Sequence, residues 1–109
     1  MNVSESAIQR SILDNLLYRG ILAWRQQSIP TPIRRGRSIV GLRRADPHTV
    51  GIPDIACIVR GQYFGIEVKT ETGRQRPEQK EWQQKLQAAG ATYVLARSWE
   101  DVAKTLDFN

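Results

Sequence analysis

Two acids and a lysine stand inside the otherwise apolar stretch GIPDIACIVRGQYFGIEVKTE, residues 51–71: Asp54, Glu67 and Lys69. Charges flanked by Ile52, Ile55, Ile66 and Val68 cost stability unless partners offset them, so their shared position asks for a shared purpose. Carboxylate oxygens suit hard cations. Mg²⁺ typically takes one or two of them and keeps waters and substrate phosphate oxygens for the rest of its shell. An ion held this way polarises a phosphodiester and lowers the pKa of a bound water. A neighbouring ammonium orients that water or stabilises the negative charge of the transition state. The plainer alternative for Glu67 and Lys69 is an ion pair at a sheet edge.

These groups can act together only if the backbone aligns them. Side chains alternate along a strand, so Tyr63, Gly65, Glu67 and Lys69 share one face, while Phe64, Ile66 and Val68 take the other. Glu67 and Lys69 then lie about 7 Å apart. Ile55 to Arg60 reads as the preceding strand, and a two-residue turn at Gly61 and Gln62 is expected to pair Arg60 with Tyr63. That register brings Asp54 close to Lys69. Gly65, lacking a side chain, is expected to leave room for something bulky to approach.

The remaining elements follow from periodicity and caps. Ser4 can cap a helix from about Glu5 to Arg19, with Ile8, Ile12, Leu13, Leu16 and Leu17 on its apolar side and Gly20 past its end. Ile21 to Gln27 reads as a strand, stopped by Pro30 and Pro32. A basic loop or hairpin, about residues 30–50, carries Arg34, Arg35, Arg37, Arg43 and Arg44 around two glycines, and is suited to phosphate contact or is simply a solvated charged loop. Pro77 to Ala89 reads as a helix buried through Trp82, Leu86 and Ala89. ATYVLAR then forms a strand covered on both faces, and Ser98 with Asp101 forms a capping box for a last helix through Val102 and Leu106. The fold class is therefore α/β, a mixed four-stranded sheet flanked by helices.

Composition narrows the function classes. At 109 residues the chain suits one domain, residues 1–109. Sixteen Lys and Arg against eleven Asp and Glu give a net charge of +5, which favours a polyanionic partner such as nucleic acid. The single cysteine, Cys57, rules out an intrachain disulfide and a cysteine-cluster zinc site, and its apolar neighbours assign it to packing. His48 has no histidine or cysteine partner and reads as a loop residue. MNVSESAIQR contains neither an apolar signal core nor an arginine-rich presequence, and no apolar run suits a membrane helix, so a cytoplasmic location is expected.

Gly51, Pro53 and Asp54, then Glu67, Val68 and Lys69, resemble the PD...(D/E)xK signature of restriction-endonuclease-like nucleases. More narrowly, GIPD followed by IEVKTETGRQRPEQKEWQQKLQAAGA is similar to the VRR-NUC family, small nuclease modules found alone in phages and within larger repair enzymes. The similarity spans about Gly51 to Asp101 and implies a restriction-endonuclease-like core. By resemblance, Asp54 and Glu67 bind Mg²⁺ or Mn²⁺, Val68 lends its carbonyl, and Lys69 serves the attacking water. The family also places an acid on the first helix, where Glu5 is the candidate at the end of the stripe through Ile8, Ile12 and Leu16. An acid there equally suits the helix dipole. Asp14 falls off that stripe. Gln79, three residues before Trp82, puts an amide against the sheet, where the family's glutamine touches the lysine or the water; an amide satisfied by backbone is the alternative.

The resemblance implies a metal-dependent endonuclease acting on DNA and leaving a 5′-phosphate and a 3′-hydroxyl, without a small-molecule cofactor. Arg34, Arg35, Arg37, Arg43 and Arg44, and secondarily Arg74 and Arg76, are expected to grip phosphates. Because the chain leaves no recognition helix or second domain for base reading, branched DNA, a flap or a Holliday junction, is the expected substrate. Stand-alone members resemble two-fold junction resolvases, so a homodimer is expected. The competing readings are a noncatalytic nucleic-acid-binding module and an RNase on the same core.

Overall fold

The computed structural model describes residues 3–26, 31–43 and 46–107; Gln27, Pro30 and Arg44 lie outside them. The elements run α1 (Glu5–Tyr18), β1 (Leu22–Arg25), β2 (Thr31–Arg35), β3 (Ser38–Arg43), β4 (Ile55–Val59), β5 (Gln62–Val68), α2 (Pro77–Ala88), β6 (Thr92–Ala96) and α3 (Trp99–Leu106). A four-stranded sheet has the order β1-β4-β5-β6. β5 and β6 are parallel, and the other two pairs are antiparallel. β2 and β3 form a separate two-stranded sheet within the stretch expected as a basic loop or hairpin.

Alternation in β4 and β5 divides the sheet into two unlike faces. On one, Ile55, Cys57, Ile66, Val68, Val94 and Ala96 pack against Ile8, Ile12 and Leu16 of α1 and Val102 and Leu106 of α3. This is the core, and burying each large aliphatic side chain there is worth roughly 1.5–3 kcal/mol. Cys57 is fully buried within it, and burial pushes its thiol up to about 11. Ala7 N–H donates to Ser4 Oγ at 3.1 Å, which caps α1 and fixes where Glu5 begins the helix.

The other face carries Gly65 and Glu67 and meets α2. A side chain at Gly65 has no room: a Cβ there would lie 2.9 Å from Pro53 Cγ and 3.1 Å from Leu86 Cδ1. The expected space beside Gly65 is therefore filled by the protein's own proline and leucine. α2 is also less buried than its pattern suggests, since Gln79 is its buried residue, Trp82 and Leu86 are half-buried, and Ala89 is exposed at the C-cap. Between Leu86 of α2 and the sheet at Gly65, Pro53 also makes a close approach.

Two local expectations are corrected. The hairpin turn is Arg60-Gly61, with φ of 51° and 78°, and it pairs Val59 with Gln62. Two successive positive φ values match the right-handed twist of the strands. The turn consequently sets Asp54 level with Glu67, where the expected register set it level with Lys69. At α3, Ser98 stands at the N-cap without a side-chain cap bond, and Asp101 instead accepts from Arg97 N–H at 2.8 Å.

Gly51 joins the 47–49 turn to the site. Its φ is +87°, and a Cβ would lie 2.5 Å from the Glu78 carbonyl oxygen in the first turn of α2. Gly51→Ala is expected to destabilise the fold by on the order of 3 kcal/mol, from backbone strain plus overpacking. A thermal melt should show a loss of roughly 10 °C or more; an unchanged midpoint would mean that this contact relaxes freely.

Candidate metal centre

The site forms where β4 begins and β5 ends. Asp54 immediately precedes β4, and its Oδ2 accepts from Val68 N–H at 2.8 Å, so the carboxylate takes a main-chain donor at the end of the ladder. Glu67 projects from β5 toward α2 and is 1% exposed. Glu5 comes from the first turn of α1. One carboxylate oxygen from each of Glu5, Asp54 and Glu67 lies within 4.8 Å of the others.

Three carboxylates at this separation repel one another, and the effect concentrates on the most buried. Burial pushes Glu67 up to about 9; the close Asp54 carboxylate and, more weakly, the charge of Glu5 push the same way, while Lys69 opposes them. Lys69 Nζ is 3.9 Å from Glu67 Oε2, and the lysine is 7% exposed. Glu67 Oε2 also accepts from Gln79 Nε2 at 3.1 Å. Glu67 Oε1 is buried without a hydrogen-bond partner among the described residues. An orphaned oxygen on a carboxylate clustered with two others suits a divalent cation by chemistry and by charge.

Gln79 has both ends of its amide engaged. Its Oε1 accepts from Arg76 N–H at 2.8 Å, at the entrance to α2, while its Nε2 holds Glu67. Its neighbours are thus the Glu67 carboxylate and the helix start. Tyr93, opposite Gly65 on β6, closes one side of the site. Its Oη accepts from Gln75 Nε2 at 2.8 Å, and Gln75 Nε2 also reaches Gln83 Oε1 at 3.0 Å. Burial, with smaller help from the charges of Glu67 and Asp54 and against the Gln75 hydrogen bond, pushes Tyr93 up to about 12 and keeps it a neutral wall.

The structure thus brings together Glu5, Asp54, Glu67, Lys69 and Gln79, with Val68 bonded to Asp54 through its N–H. The predicted phosphate-binding residues lie elsewhere. Arg34, Arg35 and Arg37 cluster at and beside the tip of the β2–β3 hairpin, Arg43 closes β3, and Arg74 and Arg76 sit in the loop before α2. All six are exposed, and Arg76 Nε lies 3.9 Å from Glu78 Oε1. Asp14 and His48 are both exposed and take no part in the acidic cluster.

One contributor escapes sequence reasoning. Gln26 lies just past β1, where its N–H donates to Asp54 O at 2.8 Å and its Nε2 donates to Pro53 O at 3.1 Å. Tyr63 Oη in turn donates to Gln26 Oε1 at 3.3 Å. Gln26 therefore grips the Pro53-Asp54 segment from the neighbouring strand. A glutamine after a strand carries no signal of this role until the β1–β4 pairing is known.

Comparison with solved structures returns a VRR_NUC domain with a TM-score of 0.65 and 23% sequence identity, covering 94% of this chain and 94% of that chain. No family model and no curated protein matches the sequence. The chain therefore has the fold of a VRR_NUC domain, as the motif spacing implied: a mixed four-stranded sheet flanked by helices. Among the described residues, no helix is long and apolar enough to cross a membrane.

Proposed function

We propose that this chain is a Mg²⁺- or Mn²⁺-dependent DNA endonuclease of the PD-(D/E)xK type, a single nuclease domain that hydrolyses phosphodiesters in branched DNA. The observation that carries the reading is the buried, partnerless Glu67 Oε1 set among the carboxylates of Glu5 and Asp54 and backed by Lys69. Glu5, Asp54, Glu67 and the Val68 carbonyl would hold the cation. When bound, it supplies Lewis acidity toward the scissile phosphate and a water of lowered pKa.

The protein's own groups do the rest. Asp54 is oriented by Val68 N–H and by the Gln26 grip on its main chain. Gln79 fixes the Glu67 carboxylate through Nε2. Lys69, donating from a nearly dry position, orients the attacking water and offsets negative charge as the pentavalent phosphorus forms. In-line attack on phosphorus breaks the P–O3′ bond, leaving a 5′-phosphate and a 3′-hydroxyl. The exposed arginines contact neighbouring phosphates, a sequence-independent grip suited to recognising DNA shape. A second copy would place two such sites for paired cuts, and the exposed apolar side chains Leu22, Trp24 and Ile58 on the β1 side of the sheet offer surface for it.

The test is cleavage of plasmid, flap and four-way-junction DNA by pure protein in Mg²⁺, Mn²⁺ or EDTA, with RNA in parallel and mass measured in solution. Branched DNA should be cut in either metal, not in EDTA, by a dimer. Binding without cleavage would leave a noncatalytic module; cleavage of RNA alone would make the enzyme an RNase.

A further inference from the structure

Lys69 has a long, flexible stem, yet its ammonium must stay beside Glu67. A lysine side chain loses about 2 kcal/mol of rotamer freedom when it is fixed, so something must confine it. Its main chain is held, since Lys69 N–H donates to Ala96 O at 3.0 Å and extends the β5–β6 ladder by one step. The stem is held by the turn that follows. Gly73 N–H closes that turn onto Thr70 O at 3.1 Å, and a Cβ on Gly73 would lie 3.5 Å from Lys69 Cδ and 3.1 Å from Thr70 Oγ1. The turn thus lies against the lysine stem.

What holds the turn is Arg97, the residue after β6. Its Nη1 donates to the carbonyls of Thr70, Glu71 (3.3 Å) and Gly73 (2.9 Å). Its own N–H is fixed by Asp101 Oδ2. These bonds are charge-assisted, and Nη1 shares its two hydrogens among the three carbonyls. Arg97 also lines a cleft of about 480 Å³ bounded by Thr70, Glu71 and Thr72 of the turn and by Val3, Ser4 and Ile8 at the start of α1. Ser4 precedes Glu5 and Thr70 follows Lys69. The same anchor therefore holds the turn beside the lysine, and across the cleft that turn faces the start of the helix that carries Glu5.

We propose that Arg97 is a positioning residue for Lys69, acting through the Thr70–Gly73 turn and making no contact with the reacting phosphate. The kinetic consequence rests on the nuclease reading above, whereas the effect on the lysine does not. The test compares wild-type full chain with Arg97→Ala and Arg97→Lys. Lysine acetylation rates are read by mass spectrometry, with exposed Lys80 and Lys104 as internal references. Loosening the turn should raise Lys69 labelling at least about fivefold by local opening, with the references unchanged. In single-turnover cleavage, the rate at saturating DNA should fall by about tenfold to a hundredfold, while the DNA Kd stays within about twofold. Arg97→Lys should fall between wild type and Arg97→Ala in both measurements, and it serves as the test should the alanine variant not fold. Unchanged Lys69 labelling in a folded variant overturns the proposal, as does weakened DNA binding at an unchanged saturated rate, the mark of a phosphate contact. Failure of wild type to cleave any substrate would count against the nuclease reading alone, and labelling would still decide the role of Arg97.

Discussion

Glu67→Gln is expected to raise the melting temperature of the metal-free protein at pH 8 and, in the same molecule, to abolish its stabilisation by Mn²⁺ and its cleavage of DNA. The sign follows from the raised pKa. The folded protein holds the Glu67 proton up to about 9, whereas the unfolded chain releases it near 4.5. Below about pH 4.5 both states keep the proton and the site costs nothing through this group. Between those limits wild-type stability falls as pH rises, by on the order of 3 kcal/mol at pH 7, and the full cost is reached above about 9. Glutamine has no proton to lose. Its oxygen can still accept from Gln79, and its nitrogen takes the place of the orphaned Oε1, where it can donate to a neighbouring carboxylate. The variant should melt roughly 10 °C or more above wild type at pH 8, with the gap closing toward pH 5. Equal melting at pH 8 would overturn the raised pKa, and equal stabilisation of both proteins by Mn²⁺ would remove Glu67 from the metal centre.

Lys69→Ala is expected to slow cleavage by about a hundredfold or more while DNA affinity changes less than about twofold, because the ammonium acts on charge that develops only in the reaction. Asp54→Ala should lose at least as much, and for two reasons: a proposed metal ligand disappears, and Val68 N–H loses its acceptor. The second effect alone costs about 1–3 kcal/mol of stability. Asp54→Asn, which keeps an acceptor oxygen, separates the two, since it should remain as inactive as Asp54→Ala but melt closer to wild type. Fluorescence anisotropy with labelled junction DNA measures binding, and single-turnover gels measure cutting. Cutting at the wild-type rate by either variant would place the chemistry elsewhere on the chain.

The four-stranded sheet and its flanking helices were legible because their signals are local. The stripe through Ile8, Ile12 and Leu16, the cap at Ser4, Pro77 at the head of α2 and the alternation through β5 each specify an element from a few neighbouring residues. The hairpin register was less legible. Whether the turn falls on Arg60-Gly61 or Gly61-Gln62 depends on an arginine accepting a φ of 51°, and that small local choice decides which residue stands opposite Asp54. The empty position at Gly65 was misleading for a related reason. A glycine marks a close approach but does not say by what, and here Pro53 and Leu86 make it.

Residue type and order by themselves determined an α/β fold and the presence of two acids and a lysine in a buried hairpin, since burying charges that serve no purpose is costly. They also marked Glu5 and Gln79 as groups facing the core. Tertiary structure alone decided that Glu5 closes to within 4.8 Å of Asp54 and Glu67, which lie some fifty and sixty residues further along the chain. It likewise decided that one Glu67 oxygen is left without a partner, that Gln26 grips the segment before Asp54, and that Arg97 holds the turn beside Lys69. Each of these depends on the packing of elements distant in sequence. Local periodicity sets which face of an element is buried, but it does not encode which side chains of other elements that face will meet.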